Sequence, residues 1–394
     1  MNIGIFTDTY FPQVSGVATS IKTLKNQLEK HGHQVYIFTT TDPHVDKKEY
    51  ERNIFRFSSI PFISFTDRRI AYRGLFRAYQ IAKKLNLNII HTQTEFSMGI
   101  IGKYVARKLS VPCLHTYHTM YEDYLHYIAN GKLVKPIHVK EATLAFCHNM
   151  SGVIAPSKRV LNTLTNYGVK SPIRVIPTGI DVNQYDQKHY VNVRPKLKIS
   201  KSEKVLLSVS RVAYEKNIHE LIDAMPRIIE KVPNVKLVIV GDGPAKSDLE
   251  HQVDRMQLNQ FVIFTGEISN DHVNEYYHMA NVFVSTSNSE SQGLTYIEAM
   301  AAGLKVIVVK TPYTDSLLND KTLGRTFSTE DEYVNDVIKY IKFPERYKLT
   351  NPILRQHKLK EISAECFGNR VINFYHASQL MYEDKKSHLG EIDF

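Results

Sequence analysis

The chain has 394 residues and a formal net charge of +10, with a pI near 9.2. That length is too great for one ordinary domain and fits two of roughly 150–200 residues each. At 43% hydrophobic and 23% charged residues it is globular, which excludes disordered and fibrous classes.

The charge is unevenly placed. Residues 1–196 carry 26 Lys and Arg against 13 Asp and Glu, whereas the remainder carries 24 against 27. A partner attracted by positive charge therefore belongs to the first half; nucleic acid, an anionic membrane and phosphorylated ligands all fit.

The chain opens on Ile3-Gly4-Ile5-Phe6, an apolar run without a preceding basic region, which reads as a strand and not as a signal peptide. Further apolar runs at 35–39, 89–91, 112–114, 152–155 and 173–176 read as buried strands. Val17, Ile21, Leu24 and Leu28 follow a helical repeat, so a helix begins after Ser15-Gly16. This alternation predicts a parallel sheet covered on both faces. Cys113, Cys147 and Cys366 form no C-x-x-C pair, so neither a zinc ribbon nor a disulfide framework is expected, and a reducing, cytoplasmic setting is the simplest reading. No apolar run approaches the ~20 residues of a membrane span, so a membrane contact would be peripheral.

Residues 67–85 read as one basic amphipathic helix. At about 100° per residue, Ile70, Ala71, Gly74, Leu75, Ala78, Ile81, Ala82 and Leu85 share a face that packs on the sheet. The opposite face holds Arg68, Arg69, Arg73, Arg77, Lys83 and Lys84, interleaved with Tyr72, Phe76 and Tyr79. Cations among aromatics suit the surface of an anionic bilayer. The preceding apolar loop 60–65, with Phe62 and Phe65, would dip into lipid.

The polar stretch 181–203 reads as a linker between a first domain (1–180) and a second (204–342). In the second, strands are expected at 205–209, 235–240, 261–264, 282–285 and 306–309, with helices at 218–230 and 296–302 among those between them. The tail, 343–394, reads as helices packing back toward the first domain. The fold class is therefore α/β, with two doubly wound, Rossmann-like sheets and ligands at the carboxyl ends of their strands.

Three loops carry chemistry. Glu290 and Glu298 flank a turn at Gly293 that runs from a strand into a helix. Helix-start amides favour anions, and glycine lets a phosphate approach the backbone. Glu290 can accept hydrogen bonds from sugar hydroxyls, and Glu298 can reach a ribose diol. Arg211 and Lys216, on one loop after a strand, can hold a diphosphate and stabilise a departing charge. Ser15-Gly16-Val17 offers amide donors from the first domain. Gly241-Asp242-Gly243-Pro244 is a turn at a strand end.

Together these residues resemble the retaining glycosyltransferases of family 4, which have the GT-B fold of two Rossmann-like domains facing a cleft. Glu290/Glu298 matches the family's E-x7-E pair and Arg211/Lys216 its R-x4-K pair, and the Gly16-Val17 loop and Ile176–Asp181 match in order. The first loop has Ser15-Gly16 where many members have two glycines. Residues 91–99, 116–124 and 292–296 resemble the bacterial 1,2-diacylglycerol 3-glucosyltransferases within that family.

The resemblance implies UDP-glucose as donor, diacylglycerol as acceptor, retention of configuration and a peripheral place on the cytoplasmic face of the plasma membrane; with no D-x-D triplet and no His/Asp/Glu cluster at metal-ligand spacing, no metal is expected. It implies that His118 lies beside the reacting carbon, and that Glu95, Tyr121 and Asp123 line the acceptor side. Gly241, Ile268, Leu294 and Thr295 would join the donor site, with Ile268 at the uracil. Alternatives are another acceptor (a glycolipid, phosphatidylinositol or a soluble carbohydrate), a sugar-nucleotide epimerase, or a basic nucleic-acid-binding protein.

Overall fold

The computed structural model describes residues 1–13, 15–45, 51–62, 65–122, 135–185, 190–348 and 352–390. The chain divides into two compact units, Met1–Gly179 with Ala364–Phe394, and Ile180–Ser363.

The first unit begins β1 (Asn2–Phe6), α1 (Gly16–Lys30), β2 (Gln34–Thr40) and β3 (Ile54–Phe57). A hairpin follows, β4 (Ser59–Phe62) with β5 (Phe65–Ala71), and then α2 (Leu75–Lys84), β6 (Ile89–Thr92), α3 (Ser97–Leu109) and β7 (Cys113–Thr116). It continues with α4 (Pro136–Cys147), β8 (Gly152–Ala155), α5 (Lys158–Tyr167) and β9 (Ile173–Val175). The seven-stranded sheet has order β3-β2-β1-β6-β7-β8-β9, all parallel. Its central strands β1, β6, β7 and β8 are buried on both faces, so alternate residues feed separate cores. Ile3 and Ile5 join α1 on one side, while Phe6 joins Ala78 of α2 and Val105 of α3 on the other.

The second unit runs α6 (Val182–Tyr185), β10 (Lys204–Val209), α7 (Ile218–Asp223), α8 (Met225–Lys231), β11 (Val235–Val240) and α9 (Lys246–Arg255). Then come β12 (Val262–Phe264), α10 (Val273–Met279), β13 (Val282–Ser285), α11 (Leu294–Ala301), β14 (Lys305–Val309), α12 (Pro312–Leu317), β15 (Gly324–Phe327), α13 (Glu330–Lys342) and α14 (Pro352–Glu361). The sheet order is β12-β11-β10-β13-β14-β15, again all parallel. In both sheets the strand order reverses beside the first strand, at β1/β6 and at β10/β13. Those are the switch points where doubly wound sheets leave a crevice.

The last helix, α15 (Ala364–Gly390), returns to the first unit and buries Phe367, Val371, Phe374 and Tyr375 against the α1 side of the sheet. Each such burial stabilises by roughly 2 kcal/mol.

Several expectations are corrected. The single helix over 67–85 is half strand. Backbone 65–71 pairs antiparallel with 59–62, and the helix starts only after Gly74, whose φ of +121° interrupts any helical run. The apolar loop 60–65 is thereby mostly hairpin. The expected linker 181–203 belongs to the second unit: Val193 and Ile199 are buried in its core, and the Arg194 guanidinium donates to the carbonyls of Met279, Ser200 and Glu203. Residues 343–363 also stay with that unit. The helix expected over 218–230 is two, since Pro226 lacks the N–H that would carry one helix through.

Candidate functional site

In the second unit, β10 ends at Val209 and leads through Arg211 into a 3₁₀ turn, Tyr214–Lys216. Across the switch point, β13 ends at Ser285 and leads through Glu290 and Gly293 into α11. The two loops are stitched together. Thr286 Oγ1 donates to the carbonyl of Asn217 at 2.8 Å, and Ser289 Oγ to that of Glu215 at 3.2 Å. Lys216 Nζ donates to Glu290 Oε1 at 2.6 Å, an ion pair mostly shielded from solvent. The R-x4-K and E-x7-E segments thus meet through their second and first members, respectively, while Arg211 is exposed on the same loop.

Gly293 caps α11 at φ +69°, and a Cβ there would lie 2.6 Å from the Tyr296 ring. Leu294 and Thr295 are half-buried in the first turn of that helix. Gly241, at the end of β11, has φ +135° and passes so close to the Ser210 carbonyl that a Cβ would sit 1.9 Å from its oxygen. Its N–H bonds to Gly266 O, which brings the loop after β12, with half-buried Ile268, to the same edge.

Glu298 sits deeper. It is buried, its Oε2 accepts from Tyr277 Oη at 2.7 Å, and the Tyr185 phenol, edge to face with Tyr277, acts on the same carboxylate. Burial pushes its carboxyl pKa up, and the two phenol donors push it back.

At the switch point of the first unit, α1 starts at Gly16, with the Ser15 hydroxyl accepting from the Ala18 N–H. Gly16 is exposed and Val17 half-buried. Asp8, just past β1, is buried and held by hydrogen-bond donors. Thr94 Oγ1 lies at 2.6 Å, the Met98 N–H at 3.0 Å, and Ser97 Oγ also donates to it. Its charge is thereby spent on the start of α3.

Beside it lies a group of histidines. His118, just past β7, is half-buried, and its Nε2–H donates to Gln93 Oε1 at 2.7 Å. Burial, aided by nearby His115 and opposed by Glu95, lowers the His118 pKa to about 4. His115 Nε2 lies 3.0 Å from Glu95 Oε1, and Tyr121 Oη donates to the other oxygen of Glu95. His91 is buried between Thr116 and Tyr375, with its pKa pushed well down by burial. Asp123 lies outside the described residues.

The basic surface is reshaped by the hairpin. Arg69 turns back, donating to Ser59 Oγ and O at 3.0 and 2.8 Å, and so leaves the cationic face. Tyr79 packs half-buried on the core. The side chains of Phe62, Phe65 and Arg68 lie outside the described residues. What remains exposed is Tyr72 at 56%, Leu75 at 40% and Phe76 at 68%, with Arg73, Arg77, Lys83 and Lys84. Arg77 also stacks on Phe57 and donates to the Arg56 carbonyl. The adjacent α3 adds Ile100, 57% exposed, followed by Arg107 and Lys108. No described helix is long and apolar enough to cross a membrane.

Sequence reasoning missed Asp8, Gln93, His115, Tyr185, Tyr277 and Ile100. Asp8 and Gln93 carried a signal, being polar residues immediately after buried strands. The tyrosines carried none, because their role depends on how α6 and α10 fold around α11.

Known proteins resemble this chain along most of its length. Residues 14–184 match the model for Glycosyltransferase Family 4, and 191–352 that for Glycosyl transferases group 1. An alpha-monoglucosyldiacylglycerol synthase of Streptococcus pneumoniae is 47% identical over 95% of this chain and 85% of its own length. One of Acholeplasma laidlawii is 34% identical over 88% and 89%. Among solved structures, sucrose-phosphate synthase of Thermosynechococcus elongatus superposes with a TM-score of 0.76 at 22% identity, covering 95% of this chain and 98% of that one. HepE of Anabaena, solved with UDP-glucose, superposes with a TM-score of 0.74 at 17% identity, covering 96% and 100%. Both share the fold.

Proposed function

The chain belongs to family 4 of the glycosyltransferases, and from that premise we propose that it transfers glucose from UDP-glucose to the 3-hydroxyl of 1,2-diacylglycerol, with retention, on an anionic membrane surface. The observation that carries this reading is the Lys216–Glu290 pair at the β10/β13 switch point, on the two loops that bear the family's motifs. The acceptor follows from the names of the relatives at 47% and 34% identity.

In this reading Arg211, Lys216 and the amides opening α11 at Gly293 take up the charge that develops on the departing diphosphate. Gly16 and Val17 supply further amide contact, and Gly241, packed on the Ser210 carbonyl, sets the β11 loop beside the nucleotide. Ile268 packs on the uracil, Glu290 binds glucose hydroxyls and Glu298 binds the ribose. His118 serves the reacting carbon as a neutral imidazole: with its pKa at about 4 it carries no charge near neutrality, and with Nε2–H held by Gln93 its Nδ1 accepts a hydrogen bond from a hydroxyl. Glu95, Tyr121 and Asp123 lie on the acceptor side. Because side-chain cations and amides supply the counter-charge, transfer proceeds without a metal, and turnover should survive chelation with EDTA.

The membrane surface is the exposed side of α2 with the start of α3. Tyr72, Leu75, Phe76 and Ile100 enter the interface, and Arg73, Arg77, Lys83 and Lys84 meet acidic headgroups on the cytoplasmic face of the plasma membrane. The decisive experiment is a panel of radiolabelled UDP-sugars with diacylglycerol in mixed micelles, with and without anionic lipid. Transfer of glucose to give an α-linked lipid supports the reading. A β-linkage by NMR contradicts retention, and transfer only to a glycolipid or to phosphatidylinositol moves the acceptor.

A further inference from the structure

Glu298 is an ionisable group placed where apolar side chains would pack more cheaply. It lies on α11 among the buried residues Tyr296, Ile297 and Ala299. Two phenols reach it from different elements, Tyr277 of α10 at 2.7 Å and Tyr185 of α6. The two rings pack edge to face, with centroids 5.9 Å apart, and both are buried. Asn274 of α10 also donates to the Gln184 carbonyl at 2.8 Å, fastening α6 to α10 beside the carboxylate. The titratable groups facing Glu298 are these two tyrosines, with Asp181 acting on Tyr185 from the start of the same turn.

We propose that Tyr185 and Tyr277 are positioning residues for the nucleotide-sugar donor, clamping the Glu298 carboxylate from α6 and α10 so that its remaining lone pairs meet the ribose diol. This rests on the reading of Glu298 as the ribose ligand. The physical case is one of cost. A buried carboxylate without donors takes up a proton, and a protonated acid accepts hydroxyl hydrogen bonds only weakly. Two phenols offset the desolvation and fix the carboxylate's rotation while adding no countercharge to compete with the ligand. Were the cluster mere core, a Leu among Phe and Tyr would fill the volume at no such cost.

The test is the dissociation constant of UDP-glucose for the full chain, measured by calorimetry across pH, with kcat at saturating donor measured alongside. Tyr277→Phe, Tyr185→Phe and Glu298→Gln are compared with the parent. Glu298→Gln should weaken donor binding about 10-fold or more at every pH. Each phenylalanine variant should weaken it about 3- to 10-fold at mildly acidic pH and regain most of the loss at alkaline pH, because Glu298 re-ionises there. Their kcat at saturating donor should stay within about twofold of the parent.

The results separate two failures. No effect of Glu298→Gln sinks the ribose reading itself. A clear effect of Glu298→Gln, with phenylalanine variants that bind like the parent or lose affinity equally at all pH, overturns the clamp alone. Each phenylalanine variant removes a single oxygen, and either one carries the test if the other misfolds. Misfolding of both would make the cluster structural and would also overturn the proposal.

Discussion

The two sheets share one strand order around their switch points, yet they spend it on opposite chemistry. At β10/β13 charge is kept: Lys216 pairs with Glu290, and exposed Arg211 stands on the same loop. At β1/β6 the histidines are quenched: burial holds His91 and His118 neutral, while the Asp8 carboxylate accepts from two hydroxyls and an amide. In the proposed reading the β10/β13 crevice takes a diphosphate, whose leaving group gains negative charge in the transition state and so needs fixed cations, and the β1/β6 crevice takes a neutral alcohol and needs oriented hydrogen-bonding groups. The contrast teaches that the scaffold supplies a place, and that the loop residues decide what is bound there.

The sharpest way to break this contrast is to remove charge where it is kept. Lys216→Ala or Glu290→Ala should lower turnover on the order of 10²- to 10³-fold, read as transfer of label from UDP-glucose to diacylglycerol. A loss below tenfold would deny the loop its role. On the quenched side, His118→Ala should lower kcat about 100-fold while the melting temperature holds, and near-normal turnover would demote the residue to packing.

A smaller effect is expected at the surface. Arg73→Glu with Lys83→Glu and Lys84→Glu, or Phe76→Ser with Ile100→Ser, should weaken binding to vesicles rich in acidic lipid by about 10-fold or more. UDP-glucose affinity should not change. Equal vesicle binding would remove α2 from the docking face.

The gentlest test is acid. The unfolded chain protonates a histidine near 6.5, whereas folded His118 does so only at about 4. The unfolded state therefore binds the proton first. Stability should be full above pH ~6.5 and fall as pH drops toward 4, by on the order of 3 kcal/mol from this residue. His91 adds to the slope in the same direction. Urea midpoints across pH, with His118→Gln as the flattened control, would read it.

Most of the fold was legible because buried parallel strands are unbroken apolar runs. The edge strands β3, Ile-Phe-Arg-Phe, and β15, Gly-Arg-Thr-Phe, were not, since polar residues interrupt them. The helical wheel over 67–85 failed for a local reason: it ran straight through Gly74, whose backbone only glycine adopts readily. The site divides in the same way. Arg211, Lys216 and Glu290 announce themselves as charged residues on the loops that follow buried strands. The phenols on Glu298 and the donors on Asp8 do not, because their meaning lies in contacts between distant segments.

The return of α15 has a consequence for synthesis. One face of the first sheet is closed by Phe367, Val371, Phe374 and Tyr375, and Tyr375 lies 2.7 Å from His91 Nδ1. That face stays open while the ribosome makes residues 180–363, a stretch that forms a compact unit of its own. The unit bearing the basic helix therefore waits, half covered, for residues 364–390, and its completion follows that of the unit formed by residues 180–363.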